Sequence, residues 1–234
     1  MTIRDKLGQL KWAALGRLVG PHGVSALSTA IPHGERTLEY PWVLNAVGSL
    51  TPPPARILDV GCGPVSILPL WLRNVGYDVS CCDLRPSQRA IPDVRFVVGD
   101  IAEITSLAEG SFDIVTCISV FEHVGIGGYD GKERSEPVAF LRALKRFVKP
   151  GGRIVMTFPF GKDGFCRLDP IAAYRVISEQ YLLQVLWSAG LSDFHLTCFK
   201  LTDRYWYPCS LDEASSVDST VDVTAIGGIV IPVP

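Results

Sequence analysis

From Arg56 onward the chain repeats one pattern: a short apolar run, a turn, then apolar residues at helical spacing. The runs Arg56–Val60, Asp78–Cys82, Arg95–Val98, Phe112–Ser119 and Arg153–Phe158 are short and bounded by turn residues, so they read as strands. Between them, Val65–Asn74 and Glu136–Val148 fit helices. In the second, Arg142, Lys145, Arg146 and Lys149 form the solvated stripe, and Pro150-Gly151-Gly152 supplies the stop. Serial strand–helix alternation predicts an α/β fold, a mostly parallel sheet covered on both faces. The link Leu84–Val94 holds two prolines and is short for a crossover helix, which predicts a loop or a single turn. Beyond Phe160 the pattern predicts a loop, a helix near Ser178–Ala189, and strands near Phe194–Phe199 and Asp222–Ile231, with 202–219 irregular.

Upstream, Ile3, Leu7, Leu10, Ala14 and Leu18 fall on one face of a helix over 3–19, with Arg4, Lys6, Lys11 and Arg17 against Asp5. Such a basic amphipathic helix is expected to cover its own domain; the other reading is weak peripheral contact with a membrane surface. Residues 20–55 read as loop, a short helix around Leu38–Leu50, and the linker Thr51-Pro-Pro-Pro54. Pro-His-Gly occurs at 21–23 and 32–34, which fits turn chemistry better than a metal site. The expected organisation is a helical cap or lid over 1–55 and one catalytic-type domain over 56–234.

With 234 residues, 47% of them hydrophobic, the chain can bury one sizeable core. A net charge of −2 gives no general attraction to phosphate backbones, so nucleic acid is not the expected partner. The seven cysteines (62, 81, 82, 117, 166, 198 and 209) are odd in number and form no C-x-x-C, which predicts free thiols in a reducing compartment and no zinc site. No stretch is apolar for the ~18 residues of a membrane span. Arg4, Asp5, Lys6 and Lys11 interrupt any signal-peptide core. A cytoplasmic location is the expectation.

Candidate chemistry begins at Ile57-Leu-Asp-Val-Gly-Cys-Gly-Pro64, a strand entering a tight glycine turn before a helix. Gly61 and Gly63 let the backbone fold sharply and approach a ligand, and the helix N-terminus presents unpaired N–H groups. A dinucleotide site would want a third glycine where Ser66 stands. Asp59 is badly placed for a phosphate, and suits the amino group or sulfonium of S-adenosylmethionine. Asp83, twenty residues beyond Gly63, ends the second strand, where an acid can accept ribose hydroxyls. Gly99-Asp100-Ile101 ends the third, with Asp100 suited to the adenine amine and Ile101 to the ring face.

As a set, Leu58-Asp-Val-Gly-Cys-Gly63, Asp83, Gly99-Asp100, Phe112-Asp-Ile-Val115, Glu122-His123 and Leu144–Gly152 resemble the Rossmann-like S-adenosylmethionine-dependent methyltransferases. The resemblance covers roughly Arg56 to Pro159. It implies a doubly wound, seven-stranded, mostly parallel sheet in the order 3-2-1-4-5-7-6, the last strand antiparallel. It also implies a cofactor set of Asp59, Gly61, Cys62, Gly63, Asp83, Leu84, Asp100, Ile101, Ser119 and Val120. The family usually continues Gly-x-Gly-x-Gly, whereas Val65 stands at that position here.

The fourth strand delivers Phe121-Glu-His-Val-Gly125 to the carboxyl edge of the sheet. His123 has the intrinsic pKa of a general base, and Glu122 is suited to orient it or replace it. This run, with Gly128-Tyr-Asp130, also resembles cyclopropane fatty acid synthases. A wider likeness, including Thr157-Phe-Pro-Phe-Gly161, is to small bacterial methyltransferases of polysaccharide and natural-product pathways. The expected function is methyl transfer to oxygen or nitrogen of a small molecule, such as a sugar or natural-product intermediate. The alternatives are methylene transfer to a lipid and a catalytically silent cofactor-binding subunit. Glu35, Arg36, Tyr40, Trp42, Tyr129, Lys162, Arg167, Tyr174, Arg175 and Trp206 are the acceptor-side candidates, and their mix of aromatic and basic groups suits a sugar or an anion.

Overall fold

A computed structural model of the chain describes residues 34–88, 90–126, 135–168 and 172–234. The helix expected over 3–19 and both histidines of the Pro-His-Gly pairs lie outside them. The described elements run α1 (Arg36–Leu50), β1 (Arg56–Val60), α2 (Ile67–Val75), β2 (Asp78–Asp83), β3 (Arg95–Val98) and β4 (Phe112–Ile118). A single 3-10 turn (Phe121–His123) leads to α3 (Pro137–Phe147), β5 (Val148–Pro159), β6 (Gly164–Leu168) and β7 (Ala172–Val176). The chain then forms α4 (Glu179–Ser188), β8 (His195–Thr202), β9 (Tyr205–Cys209), α5 (Leu211–Ser215) and β10 (Ala225–Pro232).

One sheet carries eight strands in the order β3-β2-β1-β4-β5-β10-β8-β9. Strands β1 to β5 are mutually parallel, and β10 runs antiparallel between β5 and β8. With β10 as seventh and β8 as sixth, this is the expected 3-2-1-4-5-7-6 arrangement extended by β9. That extra strand and α5 occupy the segment read as irregular. A separate hairpin, β6–β7, occupies the segment read as loop. The segment Leu84–Val94 has no helix among its described residues, as expected.

Alternation along the strands divides the core in two. Leu58, Val60, Val115, Cys117, Ile154, Met156 and Phe158 face α3 and α4. Ile57, Val79, Ile114 and Val155 face α1 and α2 through Val43, Val47, Leu68 and Leu72. Helix α1 lies close enough that a Cβ on Gly228 of β10 would meet the Trp42 ring at 2.8 Å. The N-terminal half of α1 thus reaches the carboxyl ends of β4 and β5. All seven cysteines are free thiols.

Candidate active site

The turn after β1 is built by backbone conformations that side chains resist. Gly61 and Gly63 have φ of +75° and +68°. A Cβ at Gly61 would lie 2.2 Å from Cγ2 of Val120, whereas nothing stands within 4 Å of one at Gly63. The first glycine is therefore required by packing, and the second leaves open space beside the turn. Asp83 holds the turn in place: its carboxylate accepts from the Gly63 N–H at 2.8 Å and from the Arg85 N–H at 2.9 Å. Ser66, in the left-handed region at φ 52°, donates to the Gly63 carbonyl at 3.0 Å and opens α2.

Asp59, the last carboxylate before the turn, is 2% exposed and accepts from Thr116 Oγ1 at 2.6 Å. Burial pushes its pKa up to about 7; the Thr116 hydrogen bond opposes this, Asp83 adds to it and Arg36 opposes it. A cation placed beside Asp59 would restore its charge, as the ammonium of a methionine moiety would. Cys62, partly exposed, accepts a long contact from Ser66 Oγ at 3.7 Å. Leu84 is 43% exposed at the end of β2. Asp100 accepts from the Ala102 N–H at 3.0 Å and from Ser135 Oγ at 3.1 Å. Ile101 is 2% exposed within the core beneath α3, so it offers almost no surface to a ring.

Across β4 and β5 the site is acidic. Ser119 has φ 47°, a strained value for a residue with a side chain, and its hydroxyl donates to Glu39 Oε1 at 2.6 Å. Thr157 donates to the same oxygen at 2.6 Å, and Arg36 pairs with Oε2. Glu39 is fully buried and anchors α1 to the strand ends. It had no signal in the sequence, where Arg36-x-x-Glu39 reads as an ordinary surface pair one helical turn apart.

Glu122 is 3% exposed; its Oε1 lies 3.9 Å from His123 Nε2, and its Oε2 is buried with no hydrogen-bond partner. Burial pushes its pKa up to about 8; a hydrogen bond from its own backbone N–H opposes this, the carboxylates of Glu39 and Glu35 add to it, and Arg36 opposes it. Burial likewise raises the pKa of Glu35.

Among the described residues, the acceptor-side candidates fall into groups on different elements. Glu35, Arg36 and Tyr40 share the inner end of α1, with the Arg36 guanidinium 5.9 Å from the Tyr40 ring centroid. Trp42 is spent on packing against β10. Arg175 stacks on Tyr181 of α4 and on Phe165, while Lys162 is exposed. Tyr174 donates to the Ser219 carbonyl at 2.9 Å, and Trp206 packs near it with Nε1 unpartnered. Tyr129 and the side chain of Arg167 lie outside the described residues. Of the basic groups expected to suit an anion, Arg36 is thus paired with Glu39 and Arg175 is stacked between Phe165 and Tyr181.

A glycine turn tied to the acid that ends β2, with a buried acid before it, thus stands on a sheet of the order 3-2-1-4-5-7-6. Residues 58–156 match the methyltransferase domain family. That match covers under half of the chain, and it likens the segment from β1 into β5 to methyltransferase domains.

Among curated relatives, ubiquinone biosynthesis O-methyltransferase of Xanthomonas oryzae pv. oryzae is 28% identical over 141 residues, covering 56% of this chain and 52% of the relative. That of Xanthomonas axonopodis pv. citri is 29% identical over 146 residues, covering 58% and 54%. The chain therefore spans about half the length of the curated relatives it matches. Among solved structures, the Burkholderia thailandensis 1,6-didemethyltoxoflavin-N1-methyltransferase, with bound 1,6-didemethyltoxoflavin and S-adenosylhomocysteine, superposes with a TM-score of 0.61 at 15% identity, covering 99% of this chain and 91% of that one. A Mesorhizobium loti S-adenosylmethionine-dependent methyltransferase gives 0.51 at 16%, covering 80% and 96%. These likenesses establish the fold. Among the described residues, no helix is long and apolar enough to cross a membrane.

Proposed function

We propose that this chain transfers a methyl group from S-adenosylmethionine to oxygen or nitrogen of a small molecule. The observation that carries the reading is the set of carboxylates at one sheet edge, Asp59, Asp83 and Asp100, standing at the carboxyl ends of three successive strands. Asp83 is bonded to the glycine turn between them. In this reading Asp59 meets the cationic methionine end, Asp83 the ribose and Asp100 the adenine amine. Gly61, Cys62, Gly63, Leu84, Ser119 and Val120 line the path between. Ile101 supports the strand end from the core.

S-adenosylmethionine supplies a methyl carbon already activated by its sulfonium, so the protein's work is to align the acceptor and remove its proton. Glu122 and His123 stand at the edge of β4 where that proton would leave. Helix α1 and the β6–β7 hairpin border them, the part of a lid that excludes water. The expected partner is a small-molecule acceptor.

The test is turnover. With an acceptor in hand, His123→Ala is expected to slow transfer ~10²–10⁴-fold while leaving S-adenosylhomocysteine affinity unchanged. Weaker cofactor binding in that variant would move His123 into the cofactor shell. Cofactor binding with no transfer to any component of a metabolite extract would instead identify a silent binding subunit.

A further inference from the structure

Resting on the methyltransferase reading, we propose that the acceptor is an amine, bound with its protonated nitrogen on Glu122 Oε2 at the end of β4. Two carboxylates from the head of α1, Glu35 and Glu39, act on Glu122 of the 3-10 turn. The cation set among them is Arg36, and Glu39 already holds it while also accepting from Ser119 and Thr157. Glu39 is thereby satisfied on both oxygens. Glu122 is satisfied on one side only: its own backbone N–H bonds the carboxylate and Oε1 is 3.9 Å from His123, whereas Oε2 is buried with no donor. A buried carboxylate oxygen left without a partner costs folding stability, and a ligand that supplies the donor recovers it. Among the described residues no three His, Cys, Asp or Glu side chains come together as a metal site, so an organic donor fits better than a metal ion.

Charge selects the donor. Deprotonating a hydroxyl here would place an oxyanion among carboxylates, and like charges at short range repel. An ammonium enters attracted to them and leaves its nitrogen neutral once it gives up a proton. Glu122 is equipped to take that proton: burial brings its pKa to about 8 against the ordinary 4.5. The groups that face it are Glu35, Arg36 and Glu39 from α1, His123 from its own turn and Cys117 from β4. The balance is simple. R–NH3+ passes one proton to Glu122, and the freed nitrogen lone pair forms the bond to the methyl carbon. The carbon–sulfur pair stays on sulfur, the positive charge moves to the product nitrogen, and Glu122 returns its proton to solvent.

The experiment is a binding panel read by calorimetry, with and without S-adenosylhomocysteine. Aliphatic and heteroaromatic amines are each matched by the same skeleton bearing a hydroxyl or a carboxylate. The expected result is that amines bind and their counterparts do not. Glu122→Gln should weaken the best amine about 10- to 100-fold while leaving S-adenosylhomocysteine affinity unchanged. A panel in which no amine exceeds its counterparts overturns the inference, as does amine affinity unaltered in the variant. If Glu122 serves the sulfonium instead, the variant weakens S-adenosylmethionine but not S-adenosylhomocysteine and leaves amine binding alone, which also overturns it. Selective amine binding without any S-adenosylhomocysteine binding would support the amine site and contradict the methyltransferase reading. Glu122→Asp, which keeps the charge, checks that the loss follows the carboxylate.

Discussion

Two buried acids are expected to make this site sensitive to pH. Asp59 titrates near 7 in the folded chain against an ordinary 3.8, because burial penalises its charge. A cationic ligand binds the ionised form, so S-adenosylmethionine affinity should rise with pH through about 7. In Asp59→Asn the affinity should fall and the pH dependence disappear; calorimetry across that range checks both. Stability moves the other way. Between the unfolded and folded pKa values the native protein holds protons that the unfolded chain has released, so stability falls with rising pH. For Glu122 that window runs from 4.5 to about 8. Glu122→Gln should flatten this slope and raise the melting temperature above pH 8, whereas an unchanged slope would mean the carboxyl is solvated. Gly61 is a steric case: alanine there meets Val120 and a backbone at φ +75°. Gly61→Ala should cost about 1–3 kcal/mol and abolish cofactor binding, with Val120→Ala restoring part of the stability.

At the scale of elements, α1 owes its place to Glu39 as much as to Val43 and Val47. Glu39→Ala would leave Arg36, Ser119 and Thr157 without their acceptor beside a buried strand end. A loss of about 3–5 kcal/mol is expected, with early hydrogen exchange confined to α1; Glu39→Gln should cost less. The sequence made the central elements legible because their strands are buried on both faces and read as continuous apolar runs. β1 has the boundaries that the pattern predicts; so does β3, an edge strand that is only partly buried and is marked by the short run Arg95–Val98.

The edge was illegible for the opposite reason. In β9 the residues Tyr205 and Tyr207 are exposed and Pro208 interrupts the pattern, so nothing marks a strand. Helix α5 is only five residues long, too short for periodicity, although Ser210-x-x-Glu213 is a capping box that could have announced it. At β5 the expected stop, Pro150-Gly151-Gly152, lies inside the strand; α3 ends earlier, at Phe147. In the site, Asp59 and Asp83 stood out because the glycine turn fixes their positions, whereas Glu39 acts across 118 residues through Thr157. A contact of that range leaves no local trace.

As a whole molecule, the fold places the buried Asp59, a glycine turn and the buried Glu39 and Glu122 along one edge of a single sheet. The rest depends on our proposal that this edge binds S-adenosylmethionine. Thermal melts of the purified protein with S-adenosylhomocysteine, and separately with NAD, test that claim most directly. At ~100 times the dissociation constant a ligand adds ~2.7 kcal/mol, which should raise the melting temperature by ~5–11 °C. The account predicts that shift with S-adenosylhomocysteine and none with NAD. A shift with NAD alone, or none with either ligand, would contradict it.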